Sequence, residues 1–302
     1  MKVFLTGGSG FVGKGIRARL QQAGITTVCL VRPGSEAKVA GDAVDTEGLE
    51  LSTGDLFDLP SLVRGMQGCD AVIHLVGIIR ERPSKGVTFP RIHVEGTRNI
   101  LEAARQAQVK RFVHMSALGA RENATSDYHK TKYEAEQLVQ NSGIPYVIFR
   151  PSVIFGPGDE FVNMLADLVR LPLTPVIGDG SYLLQPVARE TVADVFVQAL
   201  TSDAALNQVF ETGGPEPISY GRILDEIGAV LGKPRVRKMH IPLPLMKPVV
   251  NLMEGFSFFP ITNTQLTMLV EGNFCRDDQK LYETFSTDKI PFGPGIATYL
   301  KR

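Results

Sequence analysis

Cysteine is scarce in this chain, paired histidines are missing, and charge of either sign is not in excess. The three cysteines, Cys29, Cys69 and Cys275, are odd in number and far apart. That excludes a disulfide framework and a thiolate metal site, and it fits a reducing compartment. The five histidines, His74, His93, His114, His129 and His240, have no ligand-like spacing, so no metal is expected. Lys and Arg number 32 against 32 Asp and Glu. A chain without net charge has no long-range field to recruit nucleic acid or an anionic membrane. There is no internal repeat or low-complexity tract. No basic leader with an apolar stretch and cleavage site precedes the first apolar run, so a cytoplasmic protein is expected, at most peripheral to the inner membrane.

What is present is a regular alternation. The 302 residues, 43% of them hydrophobic, suffice for one large core and an appended lobe. Strands are predicted at Thr27–Val31, Leu49–Thr53, Ala71–Val76, Arg111–Met115 and Tyr146–Phe149. Amphipathic helices are predicted between them at Gly13–Ala23, Leu59–Met66, Val94–Ala107 and Asp127–Asn141, with Gly24, Gly68 and Gly143 as C-caps. This order predicts an α/β fold with a Rossmann-type, doubly wound parallel sheet. The dinucleotide-binding domain is expected over residues 1–152, completed by about 185–213, where a helix at Glu190–Leu200 and a strand at Gln208–Thr212 return to the sheet. A smaller substrate or lid lobe is expected from residues 153–184 and 214–302, the latter mainly helical.

The first thirteen residues, MKVFLTGGSGFVG, carry the strongest local signal. An apolar strand ends at Thr6, and a glycine turn then opens a helix. Gly7 permits the tight turn, Gly10 admits a pyrophosphate close to the backbone, and Gly13 allows close packing of helix and strand. The free N–H groups and positive dipole end of the helix suit a phosphate. The second strand is followed by Arg32 rather than by the acidic residue that accepts from the ribose 2′-OH of NAD. Arg32, with Ser9 and Lys38, therefore points to a 2′-phosphate; the plainer reading of Arg32 is a solvated loop charge. Asp55, after the third strand, is either an acceptor for the adenine amino group or a turn and helix-capping residue.

Ser116, Tyr128 and Lys132 form the chemical constellation. Tyr128 and Lys132 are four apart and share one helix face. An ammonium near the phenol is expected to lower its pKa from about 10 towards working pH. Ser116 follows a strand at the carboxyl edge of the sheet, where open α/β sheets bind ligands.

These motifs resemble those of the short-chain dehydrogenase/reductase superfamily. TGGSGFVG matches its extended and atypical branch, HLVG its fourth-strand motif, and Tyr128-His-Lys-Thr-Lys132 its Tyr/Lys pair. HMSALGA, RPSVIFGPGDEFVNMLA, QPVARETVADV, IPLPL and the ending around Ile290–Leu300 are similar to the nucleotide-binding accessory subunits of respiratory complex I and their free-standing bacterial relatives. The resemblance implies NADP(H), with NAD(H) as the alternative, and Ser116, Tyr128 and Lys132 as the catalytic set. It also implies cofactor contacts from Gly7, Ser9, Gly10, Phe11, Val12, Arg32, Asp55, Leu56, Leu75, Val76 and Gly77, with Tyr128 and Lys132 contributing and Pro151 to Val153 bordering the nicotinamide. One departure is visible: His93 stands where many relatives have Asn.

The function expected is an NADP(H)-dependent oxidoreductase acting on a carbonyl or hydroxyl group of a small molecule, a hydrophobic or quinone-like one being among the expectations. Two alternatives remain. One is a non-catalytic NADPH-binding accessory or assembly protein; the other is a sugar-nucleotide epimerase or dehydratase, which Arg32 disfavours. The apolar stretch Ile241–Ile261 is interrupted by Pro242, Pro244, Lys247, Pro248, Glu254 and Pro260, too often for a membrane span. It is expected to cover the substrate cleft, with Leu243, Leu245, Met246, Phe256 and Phe258 as pocket lining.

Overall fold

The computed structural model describes residues 1–40, 47–254 and 261–300. In chain order these begin with β1 (Lys2–Thr6), α1 (Phe11–Gln22), β2 (Thr26–Val31), α2 (Ala37–Ala40), β3 (Leu49–Thr53) and α3 (Leu59–Met66). They continue with β4 (Ala71–His74), α4 (Gly96–Gln106), β5 (Arg111–Met115), α5 (Asp127–Gln140) and β6 (Tyr146–Pro151). The sheet order is Gln208–Thr212, β6, β5, β4, β1, β2, β3. The pairs β6/β5, β5/β4, β4/β1, β1/β2 and β2/β3 are all parallel. The α/β Rossmann-type fold expected from the pattern is therefore the fold observed.

The order reverses at β1, which lies between β4 and β2. In doubly wound sheets this switch point opens the crevice at the strand carboxyl ends where ligands bind. The strands read as near-continuous apolar runs because helices cover both faces. Phe4, Val72, Phe112 and Ile148 pack with Leu62 and Met66 of α3, Ile100 and Leu101 of α4, and Val139 of α5. Each such side chain contributes about 1.5–3 kcal/mol on burial. Gly24, Gly68 and Gly143 all have positive φ, at 65°, 72° and 75°.

The chain divides into two compact units. Unit 1 comprises Met1–Arg150, Val192–Glu211 and Gln279–Thr287; unit 2 comprises Pro151–Thr191, Thr212–Asp278 and Asp288–Arg302. The short helix Gln279–Thr284 falls in a stretch whose pattern suggested the lobe, yet it belongs to unit 1. Phe285 explains this: its ring lies 5.5 Å from Phe149 and 5.1 Å from Phe210, and Phe149 lies 4.6 Å from Phe196. Unit 2 is built on the helices Glu160–Arg170, Tyr220–Val230 and Phe292–Ala297, with a parallel pair formed by Thr174–Ile177 and Lys238–Ile241.

Of the lining expected from Ile241–Ile261, Phe256 and Phe258 lie outside the described residues. The helix Leu243–Met253 buries Val250 but leaves Leu245 63%, Val249 46% and Leu252 76% exposed. Leu243 and Met246 are half-buried. Leu245 thus turns to solvent rather than into a pocket wall. The spacing of 245, 249 and 252 puts the three on one helix face, so burying Val250 exposes them together. Among the described residues no helix is long and apolar enough to cross a membrane.

Candidate active site

The glycine turn after β1 is pre-organised. Gly7 has φ +76°, and the Gly10 N–H donates to the Gly7 carbonyl at 3.0 Å. A Cβ at Gly13 would run into the Gly7 carbonyl oxygen and the Gly8 backbone, so Gly13 packs α1 onto the turn itself. From beneath, the buried Arg17 donates from Nε to the Gly8 carbonyl at 2.9 Å and from Nη1 to the Val39 carbonyl at 3.1 Å. Asp58 caps α3 and Ser126 caps α5 through their side chains, whereas α1 starts at Gly10 with no side-chain cap. Ser9 and Gly10 are exposed there, and Phe11 and Val12 are half-buried. An uncapped helix start with an exposed glycine approach fits a pyrophosphate, which would satisfy the first N–H groups.

Arg32 and Lys38 are exposed, and Arg32 has no ion-pair partner among the described residues. Asp55 accepts from the Phe57 N–H through Oδ1 at 3.0 Å. Its turn role is real, while helix capping falls to Asp58. Leu56 is buried, with its carbonyl accepting from Asn99 Nδ2 at 2.9 Å. Leu75 is buried against the turn: a Cβ on Gly7 would stand 3.2 Å from its own Cβ. Val76 is half-buried and Gly77 exposed.

Tyr128 and Lys132 come together on α5 as their spacing requires. The buried face of this helix runs through Thr131, Lys132, Ala135, Glu136 and Val139, and Tyr128 at its start is half-buried. Lys132 is 3% exposed, and its Nζ donates to the Met115 carbonyl at 2.6 Å. That contact places the ammonium at the end of β5, next to Ser116. Ser116 is 4% exposed; its N–H donates to the Phe149 carbonyl, but its hydroxyl has no partner among the described residues. A Cβ on Gly77 would lie 3.5 Å from His93 Nε2 and 3.8 Å from Lys132 Nζ, so the loop after β4 closes over both. Pro151 and Val153 belong to unit 2, where the Val153 carbonyl accepts from the Val187 N–H at 2.9 Å.

The electrostatics correct one expectation. Burial pushes the Lys132 amine down to about 8, opposed by the carboxylate of Glu136. Burial also pushes the Tyr128 phenol up to about 12 rather than down. Burial of the phenol is the cause; the Lys132 Nζ donates to Met115 and no bond from it to the phenol is seen among the described residues. Tyr128 is thus a neutral phenol at ordinary pH.

Several residues around the site were not singled out from the sequence. Glu136 is fully buried and takes a bidentate contact from Arg150 of β6, Nε to Oε1 at 2.8 Å and Nη2 to Oε2 at 2.5 Å. Its spacing of four from Lys132, on the same face, was the available signal. His74 and His114 are register partners on β4 and β5, with stacked rings 5.5 Å apart. His74 contacts Thr6 Oγ1 at 2.7 Å and Thr97 Oγ1 at 3.1 Å. Burial and then the Lys132 charge push His74 down to about 3 and hold His114 well below the usual imidazole range.

Known proteins share this fold. Residues 3–213 match the NAD dependent epimerase/dehydratase family. The NADH-ubiquinone oxidoreductase 40 kDa subunit of Neurospora crassa mitochondria is 29% identical over 84% of this chain; the alignment spans 66% of that subunit, just under two thirds. The ceramide reductase of Caulobacter vibrioides is 30% identical over 87% of this chain and 80% of its own length. The crystal structure of gox2253 superposes with a TM-score of 0.76 at 23% identity, covering 98% of this chain and 95% of that one, which shows the shared fold. Sequence match, sheet order and glycine turn converge: this chain belongs to the NAD dependent epimerase/dehydratase family, an extended branch of the short-chain dehydrogenase/reductases with oxidoreductases and complex I subunits among its relatives.

Proposed function

We propose that the protein is an NADP(H)-dependent oxidoreductase of the atypical short-chain type, working on a carbonyl or hydroxyl carbon. The observation that carries this reading is the buried, unpartnered Ser116 hydroxyl beside the buried Lys132, with Tyr128 one helical turn before that lysine. A buried hydroxyl without a partner is costly, and a substrate oxygen would relieve that cost. NADPH would bind at the Gly7–Gly10 turn, with Arg32 and Ser9 at its 2′-phosphate and Pro151 and Val153 bordering the nicotinamide, and would supply the hydride. Ser116 holds the substrate oxygen, Tyr128 Oη delivers the proton to it, and Lys132 orients the ribose and stabilises the phenolate left behind.

Arg32 decides the cofactor. A charge-assisted contact to phosphate contributes about 1.5–3 kcal/mol, roughly tenfold or more in affinity. Fluorescence titration is therefore expected to show tighter binding of NADPH than of NADH, with Arg32→Asp shrinking or reversing the preference. Equal affinities in the unaltered protein would overturn the assignment.

A hydrophobic substrate suits this reading, since a relative acts on ceramide. The outward face of Leu245, Val249 and Leu252 supports a peripheral contact with an anionic lipid surface. Arg235 and Arg237, both exposed just before the strand Lys238–Ile241, supply the complementary charge. Cys29 and Cys69, both buried and outside any disulfide, suit a cytoplasmic location. Co-sedimentation with vesicles containing anionic lipid is expected at low salt and to weaken as salt rises. The Leu245→Ser, Leu252→Ser double variant should lose it, and absence of sedimentation at low salt rules the contact out.

A second reading, a non-catalytic NADPH-binding subunit like the complex I relative, draws on the raised Tyr128 phenol and its lack of a bond to Lys132. A broad carbonyl screen without turnover, in a protein that binds NADPH, would favour it.

A further inference from the structure

His93 sits in a π-helical turn, Pro90–Glu95, that precedes α4. Such turns add a residue to the helix, re-aim one side chain and often mark functional positions. Its ring is 1% exposed and touches three parts of the site. Nδ1 lies 2.9 Å from Thr131 Oγ1, on α5 between Tyr128 and Lys132. Nε2 lies 3.1 Å from both the backbone nitrogen and the carbonyl oxygen of Ile78, immediately after Gly77. The ring meets Tyr128 edge-on at 5.4 Å and 82°, while Phe89 stacks on it at 5.4 Å and 22°.

The Thr131 hydroxyl points to one tautomer. Its single proton is directed to helix carbonyls, to Asp127 at 2.8 Å and Tyr128 at 3.1 Å. Thr131 then accepts from His93, which puts the proton on Nδ1 and leaves the Nε2 lone pair for the Ile78 N–H; an Nε2–H ring would instead donate to the Ile78 carbonyl at 3.1 Å and take its Nδ1 bond from the Thr131 hydroxyl. Burial, with the neighbouring Lys132 charge, pushes His93 down to about 2, so the ring stays neutral and keeps one lone pair.

We propose that His93 is a positioning residue: its Nδ1–H tautomer clamps the loop Leu75–Ile78 to the catalytic helix α5 and wedges the Tyr128 ring, so that dinucleotide binding at the loop and the pose of the phenol are set together. This rests on the dinucleotide reading of that loop given above. Thr131 is not itself a proposed cofactor residue, yet it holds the imidazole that holds Ile78. A ring that only filled space would not transmit a change at Thr131 to the loop.

Two measurements test the clamp. Nitrogen-15 spectra of the imidazole-labelled, cofactor-free protein, assigned by loss of the signal in His93→Phe, are expected to show the Nδ1–H tautomer; an Nε2–H ring overturns the proposal. NADPH titration of His93→Phe, Thr131→Val and the double variant is expected to give dissociation constants raised about tenfold in each single variant and no further in the double. His93→Gln, which keeps a donor and an acceptor, should recover binding to within about threefold. If His93→Phe fails to fold, Thr131→Val carries the test alone. Binding of NADPH by Thr131→Val within about twofold of the unaltered protein overturns the clamp. An unaltered protein that binds neither NADPH nor NADH overturns the functional reading instead, and the tautomer then decides the clamp separately.

Discussion

Tyr128→Phe is expected to lower kcat by two to four orders of magnitude while leaving NADPH affinity within about twofold. The phenyl ring keeps its contacts with His93 and Phe89 but has no proton to give. With the phenol raised, Tyr128 carries its proton at neutral pH, the form that the proposed reduction requires. Lys132→Ala is expected to reduce turnover and dinucleotide affinity together, since Lys132 is assigned to both phenol and ribose. The measurement is steady-state reduction of a panel of aromatic and long-chain ketones, with NADPH binding followed separately by fluorescence. Full turnover in Tyr128→Phe would falsify the acid assignment. Lost turnover with equally lost NADPH binding would move the residue from chemistry to cofactor binding.

Acid is expected to destabilise the fold steeply from about pH 6.5 downward. His74, His93 and His114 are buried as neutral rings with pKa values pushed down to about 3, to about 2 and well below normal. Their unfolded values lie near 6.5. Below that pH the unfolded chain binds protons that the native state refuses, so stability is fully present above about 6.5 and falls as pH falls. Each ring costs about 1.4 kcal/mol per pH unit, and three together about 4 kcal/mol per unit. Calorimetry between pH 7 and 5 should show a Tm drop of more than about ten degrees. His114→Phe removes a ring whose two nitrogens have no partner among the described residues, and it should flatten the slope by about a third. A Tm independent of pH over that range contradicts the buried neutral cluster. Lys132 acts in the same sense at higher pH: its native value near 8 lies below the ordinary 10.5, so stability rises further between those limits.

Local chemistry determined a great deal here. Leu49–Thr53, Leu59–Met66 and Arg111–Met115 form over the spans expected; in Leu59–Met66 the Asp58 cap and the buried Leu62 and Met66 agree, and in Arg111–Met115 the buried Phe112 and Val113 carry the strand into the sheet. The fit loosens where local and tertiary demands diverge. The helix expected over Val94–Ala107 is regular only from Gly96, and Pro90–Glu95 winds as a π turn. Nothing in the spacing marks that turn; it is held by the contacts of His93 with Ile78 and Thr131, from segments distant in sequence.

The sequence by itself determined the Rossmann frame, the glycine turn, the family and the shared face of Tyr128 and Lys132, since each follows from neighbours within a turn or a strand. Tertiary structure alone decided which groups are buried and which partners they find. Lys132 bonds the Met115 carbonyl, and burial raises the Tyr128 phenol rather than lowering it. Glu136 meets Arg150 across α5 and β6, and Leu245 faces solvent instead of lining a pocket. Proton affinity and exposure are set by solvation and by contacts between segments far apart in the chain, which periodicity and spacing along the sequence do not encode.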